Sequence, residues 1–287
     1  MAGLLILAAC LGLSACGYLE VEVIRDVSYG PNLKLDVYRK HLLFNQPQSG
    51  PAMVMVHGGG WKGGDKNDFF YEANNFAMDR GCVCFSLNYR LVDNGNNLHP
   101  AGFDDVQRAI RWVRANGAAY GADVKRIAVM GGSAGGHLAL LAAIATNTRS
   151  PGNDELSGVS SLVSCCVNFY GPSDLAAPWN GTTPNFRADG KDLVEGYLGT
   201  TFARNPALFS NASPLFLAAA STRPVMFIHS KGDPLVPLDQ STRLHEKLKS
   251  LGVPSVYLPV DGTNHGIDNA QWKTVYEESY KFLSNYL

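Results

Sequence analysis

Three residues of this 287-residue chain, Ser133, Asp233 and His265, have the types and the order to make a base-activated nucleophile. A serine hydroxyl is a weak nucleophile near neutral pH and needs a base within hydrogen-bond reach. An imidazole that takes its proton needs a carboxylate to hold its tautomer and to stabilise its charged form. Ser133 lies in Gly131-Gly132-Ser133-Ala134-Gly135-Gly136, a Gly-x-Ser-x-Gly sequence. Placed between a strand and a helix, such a sequence turns sharply and pushes the hydroxyl out of the sheet. The flanking glycines fit because a strained turn leaves no room for side chains. The N–H of Ala134 then points at the same space from a helix N-terminus, where negative charge is favoured. A second glycine cluster, His57-Gly58-Gly59-Gly60-Trp61, follows an apolar run. Three glycines there let the backbone approach a ligand closely with its N–H groups free.

These residues need elements to position them. Residues 52–56 and 83–87 are continuous apolar runs, as expected of strands buried on both faces. Residues 126–129, 162–170, 224–229 and 255–260 read as further strands. Between them, residues 69–80, 104–116 and 138–145 read as helices, and the chain closes on a helix containing Trp272, Val275, Tyr276, Ser279 and Phe282. In the second of these, Val106, Ala109, Ile110 and Val113 repeat at helical spacing, and Asp104 and Asp105 suit its first turn as dipole-complementing acids. Buried strands alternating with helices imply a parallel sheet covered on both faces, with its site beyond the C-terminal strand ends. Residues 21–28 and 33–38, separated by Gly30-Pro31-Asn32, read as an antiparallel hairpin at a sheet edge. The expectation is one α/β domain over 17–287 with an eight-stranded, mostly parallel sheet. Alternation stops after Tyr170, and residues 171–223 mix Pro, Gly, Asn and Thr with aromatics. They are expected to form a small cap over the mouth of the site.

Lys and Arg number 24 against 25 acids, a formal charge of −1, so the composition gives no reason to expect a nucleic-acid partner. Residues 1–16 carry no charge and are almost wholly apolar or small, yet are shorter than the roughly 20 residues of a membrane-spanning helix. They fit a secretory signal. Leu13-Ser14-Ala15-Cys16 resembles the lipobox of bacterial lipoproteins, which implies lipidation of Cys16 and an exported protein on the periplasmic side of the inner or outer membrane. Cys82, Cys84, Cys165 and Cys166 lie in strand-like apolar runs with spacings that suit neither a local disulfide nor zinc, and read as buried thiols.

The motifs together resemble the α/β-hydrolase superfamily, in its branch of small HGGG-motif carboxylesterases related to hormone-sensitive-lipase-like esterases. The resemblance rests on His57-Gly58-Gly59-Gly60-Trp61, the Ser133 motif, Gly232-Asp233-Pro234-Leu235-Val236-Pro237 and His265-Gly266, and extends from about residue 25 to the end. Asn88-Tyr89-Arg90-Leu91 and residues 123–127 match less specific family segments. It implies that Ser133 attacks a carbonyl, His265 relays the proton and Asp233 orients His265. The N–H groups of Gly59, Gly60 and Ala134 would bind the oxyanion. It implies a small-molecule ester as substrate, with no metal or cofactor. Asp174 is the rival acid, since some hydrolases place theirs after the strand ending near Tyr170; the motif around Asp233 favours Asp233. His57 would hold the oxyanion loop and His137 would pack. His229 ends a strand, and His41, His99 and His245 fall in exposed-looking stretches. The tail Trp61-Lys62-Gly63-Gly64-Asp65-Lys66 is also similar to feruloyl and acetyl esterases and to kynurenine formamidases. Acetyl or feruloyl esters of polysaccharide are therefore candidate substrates. A formamidase-like amidase and a non-catalytic binding module are the alternatives.

Overall fold

The structure, a computed structural model, describes residues 21–40, 49–145, 155–181 and 187–287. The signal segment with Cys16, and His41, lie outside these residues.

Among the described residues eight strands form one sheet: β1 (Val21–Gly30), β2 (Leu33–Lys40), β3 (Gly50–Val56), β4 (Val83–Leu87), β5 (Ala122–Gly132), β6 (Cys165–Phe169), β7 (Val225–Ser230) and β8 (Ser255–Val260). Their spatial order is β1-β2-β4-β3-β5-β6-β7-β8. β1 pairs antiparallel with β2 and β2 with β4, and the pairings from β4 through β8 are parallel. This is the mostly parallel sheet with an antiparallel edge hairpin that the run pattern implies. The register lines up the C-terminal strand ends. Val56 pairs with both Leu87 and Gly131, Gly132 with Phe169, and Phe169 with Ile228. The loops that follow β3, β5, β6 and β7 therefore emerge side by side.

The helices are α1 (Phe70–Arg80), α2 (Ala101–Asn116), α3 (Ala134–Ile144), α4 (Ala177–Asn180), α5 (Ala188–Leu198), α6 (Pro206–Asn211), α7 (Pro214–Leu217), α8 (Asp239–Ser250) and α9 (Trp272–Tyr286). Alternation along buried strands sends neighbouring residues to opposite faces. Met53, Met130, Val167 and Met226 meet Phe76, Val275 and Phe282 of α1 and α9. Val54, Val129 and Phe227 meet Ile110, Leu138, Leu244 and Leu248 of α2, α3 and α8. The same rule splits the adjacent cysteines: Cys165 joins the first core and Cys166 the second. All four described cysteines are free and buried. Burial pushes the thiols of Cys82 and Cys165 up to about 12, so they stay protonated and unreactive.

Two helices begin earlier than their apolar spacing indicates. α3 starts at Ala134 and takes in Gly135 and Gly136, poor helix formers. Tertiary contact overrides propensity here: a Cβ on Gly135 would collide with the carbonyl oxygens of Val56 and His57. α2 starts at Ala101, and the expected dipole role for Asp105 needs correcting. Asp105 is buried and accepts from the backbone N–H of Arg90 at 2.8 Å and from its guanidinium at 2.8 Å. Its partner lies 15 residues upstream, where helical spacing gives no signal. Between β6 and β7 the described residues form the helices α4 to α7.

Candidate active site

Ser133 follows β5 with φ 54° and ψ −121°, a strained conformation for a residue with a side chain. Its N–H donates to Phe169 O at 2.9 Å and its carbonyl accepts from the N–H of His137 at 3.0 Å, which fixes the turn between sheet and helix. His265 lies between β8 and α9, and its Nε2 is 2.7 Å from Ser133 Oγ, across 132 residues of sequence. Its Nδ1 is 2.7 Å from Asp233 Oδ2. With Nδ1–H donating to the carboxylate, Nε2 is free to accept the serine proton, which is the tautomer a general base requires.

Asp233 is held from several sides. Its Oδ1 accepts from the N–H groups of Leu235 and Val236, both at 2.9 Å. Its Oδ2 also faces Nε2 of the buried His229 at 3.4 Å. His229 Nε2–H donates to Val236 O at 2.8 Å, and His229 Nδ1 pairs with Ser241 Oγ at 2.8 Å. Burial alone would raise the Asp233 carboxyl. The hydrogen bonds from His229 and His265, the charge of His265 and the Val236 amide outweigh it and hold the carboxyl well below the usual range. His229 is a positioning residue that strand-end placement alone does not reveal. Its only sequence signal is a place four residues before Asp233.

The rival acid is engaged elsewhere. Asp174 Oδ1 accepts from the N–H groups of Ala176 and Ala177 at 3.0 Å, and its Oδ2 lies 2.8 Å from the guanidinium of Arg243.

Gly59, Gly60 and Ala134 stand around Ser133 and, among the described residues, their N–H groups have no acceptor. Gly59 has φ 104° and its carbonyl accepts from Lys62 and Gly63, closing a tight turn; a Cβ there would strike Gly63. His57 Nδ1–H donates to Gly58 O at 2.8 Å, and burial lowers its pKa and favours the neutral ring. Tyr89 stacks on that ring at 4.5 Å and its hydroxyl donates to His57 O at 3.2 Å. Asn88 bonds the N–H of Lys66 at 2.6 Å and the carboxylate of Asp65 at 2.9 Å. Lys66 Nζ is buried against Asp36 at 2.9 Å. The Asn88-Tyr89-Arg90 segment and the Gly-Gly-Asp-Lys tail thus scaffold the glycine loop.

The other end of that loop is tied down by Trp61. Its Nε1–H donates to His137 Nδ1 at 3.3 Å, and His137 Nε2–H donates to Ala212 O at 2.8 Å. Tyr197 of α5 stacks on Trp61 with centroids 4.4 Å apart. His137 therefore does more than pack: it joins the glycine loop, the helix after Ser133 and the segment between β6 and β7. Of the remaining histidines, His245 is buried against Ser255 Oγ at 2.8 Å and stacks on Tyr257, not exposed as its charged surroundings suggest. His99 is half-buried, with Nδ1 2.8 Å from Tyr197 Oη.

Complete burial lowers the pKa of His137 to about 3. The unfolded ring binds a proton near its ordinary pKa of about 6.5 while the folded ring does not, so stability is complete above that value and falls as pH drops toward 3. In that window this ring contributes a slope of about 1.4 kcal/mol per pH unit. His137→Gln, which cannot titrate, is expected to lose about one proton's worth of slope in urea-derived stabilities measured from about pH 4 to 6. An unchanged slope would contradict the buried neutral ring.

The pieces open on a cavity of about 470 Å³. Ser133, His265, Gly59, Gly60 and Ala134 line it, together with aliphatic side chains such as Leu193 and Val236 and, from other elements, Phe69, Glu72, Tyr170 and Trp272. Among the described residues no cluster of three or more His, Cys, Asp or Glu side chains could hold a metal ion. Nor is any helix among them long and apolar enough to cross a membrane.

Comparison with known proteins places this arrangement. The BD-FAE family profile matches residues 35–248. Esterase LipC of Mycobacterium tuberculosis (strain ATCC 25618 / H37Rv) is 32% identical over 248 residues, covering 85% of this chain and 60% of LipC. The chain spans less than two thirds of the length of LipC and of its relatives LipQ and LipM. The structure of the Thermogutta terrifontis esterase Est2 with butyrate bound superposes with a TM-score of 0.74 at 28% identity, covering 93% of this chain and 94% of Est2. The structure of T. terrifontis esterase 2 phosphonylated by sarin superposes with a TM-score of 0.75 at 26% identity, covering 94% and 95%. With the profile spanning most of the chain and the sheet order and strand-end site already in place, the chain belongs to the BD-FAE family and has the α/β-hydrolase fold.

Proposed function

We propose that the protein is a serine carboxylesterase that hydrolyses short-acyl esters through an acyl-enzyme. The observation that carries this reading is the unbroken pair of 2.7 Å contacts from Ser133 through His265 to Asp233, opening on a cavity that also presents three amides with no acceptor among the described residues. Ser133 Oγ attacks the ester carbonyl as His265 Nε2 takes its proton. The carbonyl oxygen becomes an oxyanion and accepts from the N–H groups of Gly59, Gly60 and Ala134. Collapse breaks the bond to the alcohol oxygen, which leaves with the proton from His265. Water, deprotonated by His265, then attacks the acyl-serine and releases the acid. Asp233 stays ionised throughout and stabilises the imidazolium. The oxyanion amides are pre-aimed by the glycine loop and by the N-terminus of α3, so no reorganisation is needed when charge develops.

The names of the relatives support ester chemistry. Sarin phosphonylation of T. terrifontis esterase 2 supports a serine nucleophile, and butyrate bound to Est2 supports a short acyl group. Acetyl and feruloyl esters of polysaccharide remain the candidate natural substrates.

The reading is tested with p-nitrophenyl esters from acetate to dodecanoate, with N-formylkynurenine assayed at equal enzyme. Hydrolysis is expected to fall about tenfold or more from butyrate to octanoate, because a fixed pocket discriminates against added methylenes. Cleavage of the formyl amide at or above the rate of the acetate ester would replace the esterase by an amidase.

A further inference from the structure

The cavity has two chemically different walls. Beside the glycine loop stand Leu193 and Val194, with Leu193 packed on Gly60. The other wall comes from the start of α1 and the residue before it, the residue after β6 and the start of α9, as Glu72, Phe69, Tyr170 and Trp272. Glu72 is a carboxyl that lines this aromatic wall. It lies in the first turn of α1, where an acid complements the helix dipole, but an outward-facing side chain would serve that end equally. Instead it lines the cavity. Among the described residues no Lys, Arg or His pairs with it, and none of the described cavity-lining residues is Lys or Arg. Desolvation lifts its pKa above the usual carboxylate range. A carboxyl with no cation beside it has oxygen lone pairs to offer a ligand hydroxyl.

Geometry sets which half of an ester meets this wall. The tetrahedral centre on Ser133 turns its oxyanion toward Gly59, Gly60 and Ala134. Its leaving oxygen must face His265 Nε2, which protonates it. Tyr170 packs on His265 with ring centroids 5.0 Å apart, and Glu72 is near enough to act electrostatically on the Tyr170 hydroxyl. The alcohol therefore departs along Tyr170, Glu72 and Trp272, and the acyl chain lies against the aliphatic wall.

We propose that Glu72 selects the alcohol half of the substrate, accepting a hydrogen bond from a second hydroxyl of an uncharged, polyhydroxylated leaving group whose C–H faces rest on Phe69 and Trp272. This deepens the esterase reading of the preceding subsection and rests on it. Asp68, at the cavity rim, adds an exposed acceptor, with one oxygen already bonded to the N–H of Asp65 at 3.1 Å. An alcohol carrying its own anion is disfavoured by both carboxyls.

The test compares wild type, Glu72→Gln and Glu72→Leu on three acetates: a mono-acetylated methyl glucoside, ethyl acetate and acetylcholine. Active sites are counted by a paraoxon burst, so partial misfolding does not enter the rates. The ratio of kcat/KM for the glucoside over ethyl acetate is expected to fall about tenfold or more in Glu72→Leu, mainly through KM, because the hydroxyl loses its acceptor. Glu72→Gln, which keeps an acceptor oxygen, is expected to fall between. An unchanged ratio, or an equal loss on both esters, overturns the assignment. So does a wild-type preference for acetylcholine over the glucoside that Glu72→Gln abolishes, which would make the wall a cation site. Failure of folded wild type to hydrolyse any of the three removes the esterase reading and this inference with it. Turnover of ethyl acetate with no preference for the glucoside removes the inference alone.

Discussion

Ser133→Ala is expected to lower kcat on p-nitrophenyl butyrate by about 10⁵–10⁶-fold, with KM little changed. The alanine methyl occupies the same turn but carries no proton for His265 to take and no oxygen to attack with. What remains is whatever the Gly59, Gly60 and Ala134 amides contribute to direct attack by water, typically ~10³–10⁴ over solution. The comparison is made at equal concentrations of folded protein, with the thermal midpoint showing that the turn survives. A loss smaller than about 10²-fold would mean that another side chain supplies the nucleophile, and the mechanism above would fail.

The second large effect is at the acid. Asp233→Asn is expected to cost about 10⁴ in kcat, because the amide N–H can donate to Nδ1 of His265 and favour the wrong tautomer, and a neutral amide does not stabilise the imidazolium. The effect reaches beyond one contact. The Asp233 carboxylate also gathers the Leu235 and Val236 amides and lies beside His229, so the loop that aims it is built around negative charge. Asp174→Asn, assayed in parallel, should leave turnover within about tenfold, since that carboxylate caps Ala176 and Ala177 and pairs with Arg243. Stopped assays on both variants decide between the two acids. If the Asp174 variant falls as far as the Asp233 variant, the assignment of the acid is wrong.

Much of the fold was legible because burial on both faces writes itself into a strand as a continuous apolar run, and burial on one helix face as a 3.6-residue repeat. β3, β4 and β7 could be read this way, and α2 through Val106, Ile110 and Val113. The limits of elements were less legible. Gly135 and Gly136 join α3 against their propensity because the helix must approach β3 without side chains. β6 is shorter than the apolar stretch around it, since residues 162–164 precede the paired segment.

For the site, local sequence determined the chemical types and their places along the chain: a serine between glycines after a strand, an acid and a histidine after two later strands, and a glycine loop after another. Each depends on a turn whose geometry is encoded within a few residues. Tertiary structure decided everything that depends on distance through space. The register of β3 against β5 brings the glycine loop beside Ser133. The meeting of Trp61 with His137, 76 residues apart, and of both with Tyr197, closes the loop's far end. His229 under Asp233, Asp105 under Arg90, and Glu72 in the cavity wall are likewise invisible in any window of sequence. Their side chains are ordinary for their elements, and only packing of separate elements gives them partners or a cavity to face.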